Sequence, residues 1–309
     1  MTAIGMIGLG RMGANMARRL ARAGTRVHGH DAAGSARKAL ADETGVRTHD
    51  SLASLVTALR AEAGPAVVWL MLPAGEITET ALRELHALLA PGELIVEGGN
   101  ANYLDSQRRA REAADAGLRY VDCGVSGGIW GLDGGYCLSL GGEPAAVERV
   151  VPFARQLAPT PHSGWLHCGP SGAGHFVKMV HNGIEYGMMQ ALAEGFALLE
   201  GRQDLNLPLA DIAQLWRHGS VVRSWLLDLT VDALAEPGAL QALQPHVADS
   251  GEGRWTVDEA VRQGTPTPVI AAALMSRFDS QGRADTGNRL LALMRQAFGG
   301  HAVRRADEA

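Results

Sequence analysis

The sequence predicts a two-part chain: an α/β N-terminal half built on a doubly wound parallel sheet, followed by an all-α C-terminal domain. Three observations predict it. Gly8, Gly10 and Gly13 form a G-x-G-x-x-G pattern between a short apolar run and a helix-periodic stretch, the arrangement of a Rossmann-like first turn. Short apolar runs and helix-periodic stretches then alternate as far as 144–157. Past about Leu166 the period becomes helical and strand-like runs grow scarce. A chain of 309 residues also exceeds the size at which one core keeps growing, so two domains are expected, 1–163 and 164–309.

Composition narrows the function. A formal net charge of −5 without any Lys/Arg run excludes a general nucleic-acid binder. An anionic substrate would need its own small cluster of cations. No charged leader precedes an apolar segment and no apolar span approaches about 18 residues, so no membrane is expected and a cytoplasmic location is. Cys123, Cys137 and Cys168 are odd in number and lack C-x-x-C spacing, as plain thiols of a reducing compartment do.

The elements follow in order. An apolar run ends at Gly8; the first glycine allows the tight turn, the second lets the backbone approach a pyrophosphate, and the third lets helix and strand close up. A helix over 14–23 offers its free amides to phosphate. The next strand, 25–31, ends on Asp31, 18 positions after Gly13, where an acidic side chain meets ribose hydroxyls. Asp31 also repels a 2'-phosphate, and Ala32 and Ala33 supply no cation to hold one, so NAD is expected over NADP. Strands are expected at 66–73, 94–99 and 119–125, with helices over 77–89, 106–117 and 144–157. His28 and His30 share a strand face, but no carboxylate or thiol completes a ligand set, so no metal is expected. Ligands of such sheets lie beyond the carboxyl ends of the strands, which puts Pro73, Asn100, Ser126, Gly127 and Gly128 at the rim occupied by Gly10.

One long helix is expected over 171–201, capped by Ser171 and ended by Gly201, at the junction of the domains. At about 100° per residue, Lys178, His181, Asn182 and Glu185 share about a third of its circumference, with Tyr186 at the border. Apolar neighbours, Phe176, Val177, Met179, Val180, Ile184, Met188 and Met189, suggest packed flanks. Burying Lys and Glu together costs free energy unless they pair or work, which favours a site over a solvated face.

The segments GVSGG (124–128), EGGN (97–100), KMVHNGIEY (178–186), SGEGRWT (250–256) and RQAFGGH (295–301) resemble the motifs of 6-phosphogluconate dehydrogenase, over nearly the whole chain, 4–301. The length resembles its short, NAD-preferring branch. The resemblance implies oxidative decarboxylation of 6-phosphogluconate to ribulose 5-phosphate, with Lys178 as base and then acid, and Glu185 as the acid that protonates C1 of the enediol. Seven residues separate the two, about 10 Å along a helix. It implies substrate contacts from Asn100, Ser126, Gly127, Gly128, His181 and Asn182, and phosphate contacts from Tyr186, Arg277, Arg295 and His301. The last two belong to a tail that completes a neighbouring subunit's site in a homodimer or homotetramer. It implies cofactor contacts from Gly8, Gly10, Arg11, Met12, Gly13, Asp31, Leu72, Pro73 and Asn100. Where the family has a lysine and a threonine near the fourth motif, this chain has Ser250 and Glu252. A carboxylate there must point away from a phosphate or pair with Arg254. Two other readings stay open: a non-decarboxylating β-hydroxyacid dehydrogenase of the 3-hydroxyisobutyrate type, against which HNGIEY and the arginine-bearing tail argue, and a silent nucleotide-binding scaffold, against which Lys178 and Glu185 argue.

Overall fold

The computed structural model describes residues 2–44, 46–62, 64–236, 238, 240–299 and 302–305. Its first part runs β1 (Ala3–Ile7), α1 (Arg11–Arg22), β2 (Arg26–His30), α2 (Gly34–Thr44), β3 (Arg47–His49), α3 (Leu52–Arg60), β4 (Val67–Leu70), α4 (Glu76–Leu88), β5 (Leu94–Glu97), α5 (Tyr103–Asp115), β6 (Arg119–Ser126), α6 (Gly131–Gly134), β7 (Cys137–Gly142), α7 (Pro144–Leu157), β8 (Trp165–Gly169) and α8 (Ala173–Gly201). The strands form one sheet in the order β3-β2-β1-β4-β5-β6-β7-β8. The first six are parallel, β7 runs antiparallel to β6, and β8 runs parallel to β7.

The apolar runs of β4 and β5 are buried along their whole length, as parallel strands covered on both faces must be. Their period of two divides them between two cores. Trp69 and Val96 join Met6, Met16 and Leu20 on one face, while Val68 and Ile95 join Ile7, Leu55 and Leu85 on the other. Glu97 ends β5 in this dry setting and is held by Arg109 and by the Tyr120 hydroxyl; Arg109 also reaches Glu79 at 2.7 Å. Burial pushes the Glu97 carboxyl above its ordinary range even against the pull of Arg109. The network anchors the turn that carries Gly98, Gly99 and Asn100.

The sheet continues past residue 163. β8 lies beyond it, and the first compact unit extends to Val180, with 181–309 forming the second. The start of α8 is fastened to the sheet. The carboxylate of Asp122 on β6, fully buried, accepts from the Gly172 N–H at 2.6 Å and the His175 N–H at 2.9 Å, supplying the acceptors that a helix start lacks. Gly174 lies so close that a Cβ would stand 2.5 Å from the Ser139 carbonyl oxygen.

The second unit holds the rest of α8 with α9 (Leu209–Trp216), α10 (Trp225–Ala235), α11 (Glu252–Gln263), α12 (Pro268–Ser280) and α13 (Asp285–Gly299). Small cores form around Tyr186, Ala273 and Leu274, and around Phe196, Ala213 and Leu227. The flanks of the α8 stripe differ from expectation: Met179 is buried, whereas Val177, Ile184 and Met188 are 43%, 51% and 42% exposed. Much of the packed face is glycine instead. Gly183 meets Thr256 and Gly187 meets Val269, where side chains would have held the backbones apart. No helix among the described residues is long and apolar enough to cross a membrane.

Candidate functional site

Three cavities of the first unit run into one another along the carboxyl ends of the strands. The largest, about 600 Å³, is walled by His30, Asp31, Asp50, Ser51, Pro73 and Glu84, among others. It shares Gly8, Asp31, Leu72 and Pro73 with a second cavity of about 360 Å³, which Gly10, Arg11, Met12, Gly13, Met71, Gly99 and Asn100 complete. Every residue assigned to the cofactor from sequence lines this second cavity. Met12, Met71, Gly99 and Asn100 also wall the third, a pocket of about 60 Å³ closed by Gly98, Gly124, Val125 and Lys178.

The glycine turn is shaped for a diphosphate. Gly8 has φ +88°, a Cβ on Gly13 would lie 1.9 Å from the Gly8 carbonyl oxygen, and a Cβ on Gly10 would meet nothing within 4 Å, so Gly10 faces open space. Gly10 caps α1 without a side-chain bond and no acidic residue stands in the first turn, which leaves the amides available to an anion. Asp31 is fixed at the end of β2: Oδ2 accepts from the Leu9 N–H at 2.7 Å and Oδ1 from the Ala33 N–H at 2.8 Å. These residues fit a dinucleotide with free ribose hydroxyls.

Lys178 reaches the innermost pocket through helix register. Gly174 lies against Asp122 and Lys178 against Gly124, where a Cβ would meet the lysine Cβ at 2.4 Å. Four helical residues rise about 6 Å and two strand residues advance about 6.6 Å, so α8 climbs beside β6 in step with it. Ser126 ends β6, with Gly127 and Gly128 after it, at the expected edge of the sheet, but Gly124 and Val125 are the β6 residues that wall the lysine pocket.

In the second unit, His181 Nδ1 lies 3.1 Å from Asn182 Oδ1 and 3.8 Å from Glu185 Oε2, so these three polar groups gather on one side of α8. Glu185 is 40% exposed. Tyr186 is buried, its hydroxyl has no hydrogen-bond partner among the described residues, and the Arg277 guanidinium lies 3.4 Å from its ring centroid. Arg277 also donates to the Ala248 carbonyl at 2.8 Å. Glu252 is 4% exposed and accepts from the Ser250 hydroxyl at 2.6 Å, while Arg254 pairs with Asp249 and covers the Phe278 ring. Glu252 is thus turned inward. Arg295 is exposed on α13. His301 lies outside the described residues.

His28 is bonded to His49 at 2.9 Å and to Glu62 at 3.3 Å, and among the described residues no group of three His, Cys, Asp or Glu is arranged to hold a metal. Sequence reasoning missed Met71, Gly124 and Val125. It also missed Arg37, whose guanidinium donates to the carbonyls of Asp31 at 2.6 Å and Ala32 at 3.2 Å. A cation therefore stands beside the loop after β2 although the residues next to Asp31 carry none.

Comparisons with known proteins agree with this architecture. Residues 3–166 match the NAD binding domain of 6-phosphogluconate dehydrogenase, and residues 174–289 match the 6-phosphogluconate dehydrogenase C-terminal domain. An NAD(+)-dependent, decarboxylating 6-phosphogluconate dehydrogenase of Haloferax volcanii is 42% identical over 307 residues, covering 99% of each chain. The decarboxylating enzyme of Synechococcus elongatus is 35% identical over 91% of this chain, which spans 62% of that longer protein. A solved structure of Plasmodium falciparum 6-phosphogluconate dehydrogenase superposes with a TM-score of 0.83 at 25% identity, covering 99% of this chain and 67% of the other.

Proposed function

We propose, since the chain belongs to the 6-phosphogluconate dehydrogenase family, that it oxidises and decarboxylates 6-phosphogluconate to ribulose 5-phosphate and carbon dioxide with NAD. The observation that carries this reading is the lysine pocket, which opens onto the glycine-turn groove through shared walls at Met12, Met71, Gly99 and Asn100. NAD, when bound, supplies the acceptor for the hydride that leaves C3. Lys178, neutral at the start, takes the proton of the C3 hydroxyl. Now an ammonium, it donates to the C3 carbonyl oxygen as the carboxylate, placed β to that carbonyl, departs as carbon dioxide. The electrons of the broken bond form an enediol, and Glu185 gives C1 a proton as the enediol hydroxyl returns its proton to Lys178. Asn100, Ser126, Gly127, Gly128, His181 and Asn182 orient the sugar acid in this scheme. Tyr186, whose buried hydroxyl has no partner among the described residues, Arg277 and Arg295 serve the phosphate, together with His301, and the tail bearing the last two serves a neighbour in a homodimer or homotetramer. The same reading assigns the enzyme to the cytoplasm and the helical second part to substrate binding and self-association.

The test is stoichiometric. Purified protein given 6-phosphogluconate and NAD should release NADH and carbon dioxide in equal amounts; NADH without carbon dioxide would favour a simple hydroxyacid dehydrogenase. Lys178→Met should reduce kcat by at least about a thousandfold while the Kd for NAD stays within about threefold. Substantial turnover in that variant would remove Lys178 from the chemistry.

A further inference from the structure

The imidazole of His175 takes no part in the proton transfers assigned to Lys178 and Glu185, yet it stands at the head of α8, three residues before Lys178. Three elements meet there. The backbone N–H of His175 donates to the Asp122 carboxylate on β6 at 2.9 Å, and its Nδ1 lies 2.6 Å from the Ser106 hydroxyl on α5. Ser106 donates through that hydroxyl to the Asn102 carbonyl at 3.4 Å, and Asn102 caps α5, its side chain accepting from the Leu104 N–H at 2.9 Å. Two residues before this cap stands Asn100, on the wall that the lysine pocket shares with the glycine-turn groove. The turn carrying Asn100 is also fixed toward β4, where the Gly98 N–H donates to the Leu70 carbonyl at 2.8 Å and a Cβ on Gly99 would lie 2.2 Å from the Leu72 carbonyl oxygen. Toward α8 it is joined through the imidazole.

We infer that His175 is a positioning residue for the reaction at C3: its bond to Ser106 sets where Asn100 stands relative to Lys178. The inference rests on the reading of Lys178 as the base and of Asn100 as a group that orients the sugar acid. Packing also joins the two helices, with the Tyr103 ring meeting Phe176 edge-on at 5.1 Å. Apolar contact is non-directional, however, whereas a bond between two buried polar groups fixes one separation. Ser106 is 0% and His175 1% exposed, so neither group has bulk water to turn to if the bond is lost. Proton and hydride leave C3 only when the amine and the nicotinamide both reach that carbon, and a misplacement of about 1 Å there costs on the order of a hundredfold in rate. A side chain that served folding alone would lower Tm and leave the rate per folded molecule unaltered.

Steady-state kinetics of the full chain with 6-phosphogluconate and NAD, beside thermal melts, separates the two roles. Ser106→Ala removes only a hydroxyl and His175→Phe keeps a ring; each should lower kcat at least about tenfold while KM for both substrates stays within about threefold. Both changes break one link, so the double variant should fall within about threefold of the poorer single one. His175→Asn sets an amide near the position of Nδ1 and should keep kcat within about threefold of the wild type. Should the phenylalanine variant fail to fold, Ser106→Ala and His175→Asn still decide. An unchanged kcat in Ser106→Ala, losses that multiply in the double variant, or a loss in His175→Asn as large as in His175→Phe would overturn the inference. Substantial turnover in Lys178→Met would instead overturn the reading of the base, and this inference with it.

Discussion

A methyl group added at Gly124 would meet the Lys178 Cβ at 2.4 Å, the Ser139 hydroxyl oxygen at 2.5 Å and the Gly174 carbonyl oxygen at 2.8 Å. Two of these atoms, the lysine Cβ and the backbone oxygen, cannot swing aside. Gly124→Ala should therefore cost about 1–3 kcal/mol by overpacking and displace the lysine. The expected result is a fall in kcat of at least about tenfold with the NAD Kd within about threefold, measured beside a thermal melt. Unchanged kcat would show that the lysine tolerates the shift. At this scale the sequence was informative where a residue's reason is local. Gly8, Gly10 and Gly13 answer to a turn a few residues long, and Asp31 answers to its distance from that turn. Gly124 was legible only within a family motif, because its need for a missing side chain arises from a helix some fifty residues downstream. Arg37 was illegible for the opposite reason: Ala32 and Ala33 follow Asp31 in sequence, while the side chain that reaches back to its carbonyl comes from the first turn of α2.

Among the elements, α8 shows how far pattern can lead. Its length and its polar stripe could be read from the absence of proline and from residue spacing. Its packed face could not, because Gly174, Gly183 and Gly187 pack through what they lack, and hydropathy registers no signal there. The head of the helix has its own titration behaviour. His175 is buried, bonded through Nδ1 to the Ser106 hydroxyl at 2.6 Å, and flanked by Asp122 and Arg109. Burial pushes its imidazole below the ordinary 6.5, with Asp122 opposing. Unfolded, the group takes its proton near 6.5; folded, it does so only at lower pH. The unfolded chain binds more protons in that interval, so stability falls as pH drops below about 6.5. His175→Gln should make the loss of Tm between about pH 7.5 and 5.5 smaller by about 2–4 °C. An equal loss in both would show that this imidazole does not govern the acid limb.

For the molecule as a whole, the alternation of strand and helix was enough to foresee the parallel sheet. The reversed β7 and the late β8 were not foreseen, since short glycine-rich strands at a sheet margin have little hydrophobic pattern to display. The second unit also exposes many large apolar side chains, among them Leu198, Leu215, Val221 and Trp225, and Leu290, Leu291 and Leu293 on α13. Exposure on this scale is costly for an isolated chain. Sedimentation at micromolar concentration should show a dimer or larger species; a monomer with full kcat would contradict a shared active site.

The reversal of the last two strands has a further consequence. Because β8 descends, α8 must begin low on the sheet and ascend beside β6, and Lys178 arrives at its pocket by counting residues from a fixed anchor at Asp122. One residue inserted between that anchor and the lysine would turn the ammonium by about 100° and lift it about 1.5 Å, with every side chain still present. The spacing of this lead-in is as much a part of the chemistry as the amine itself.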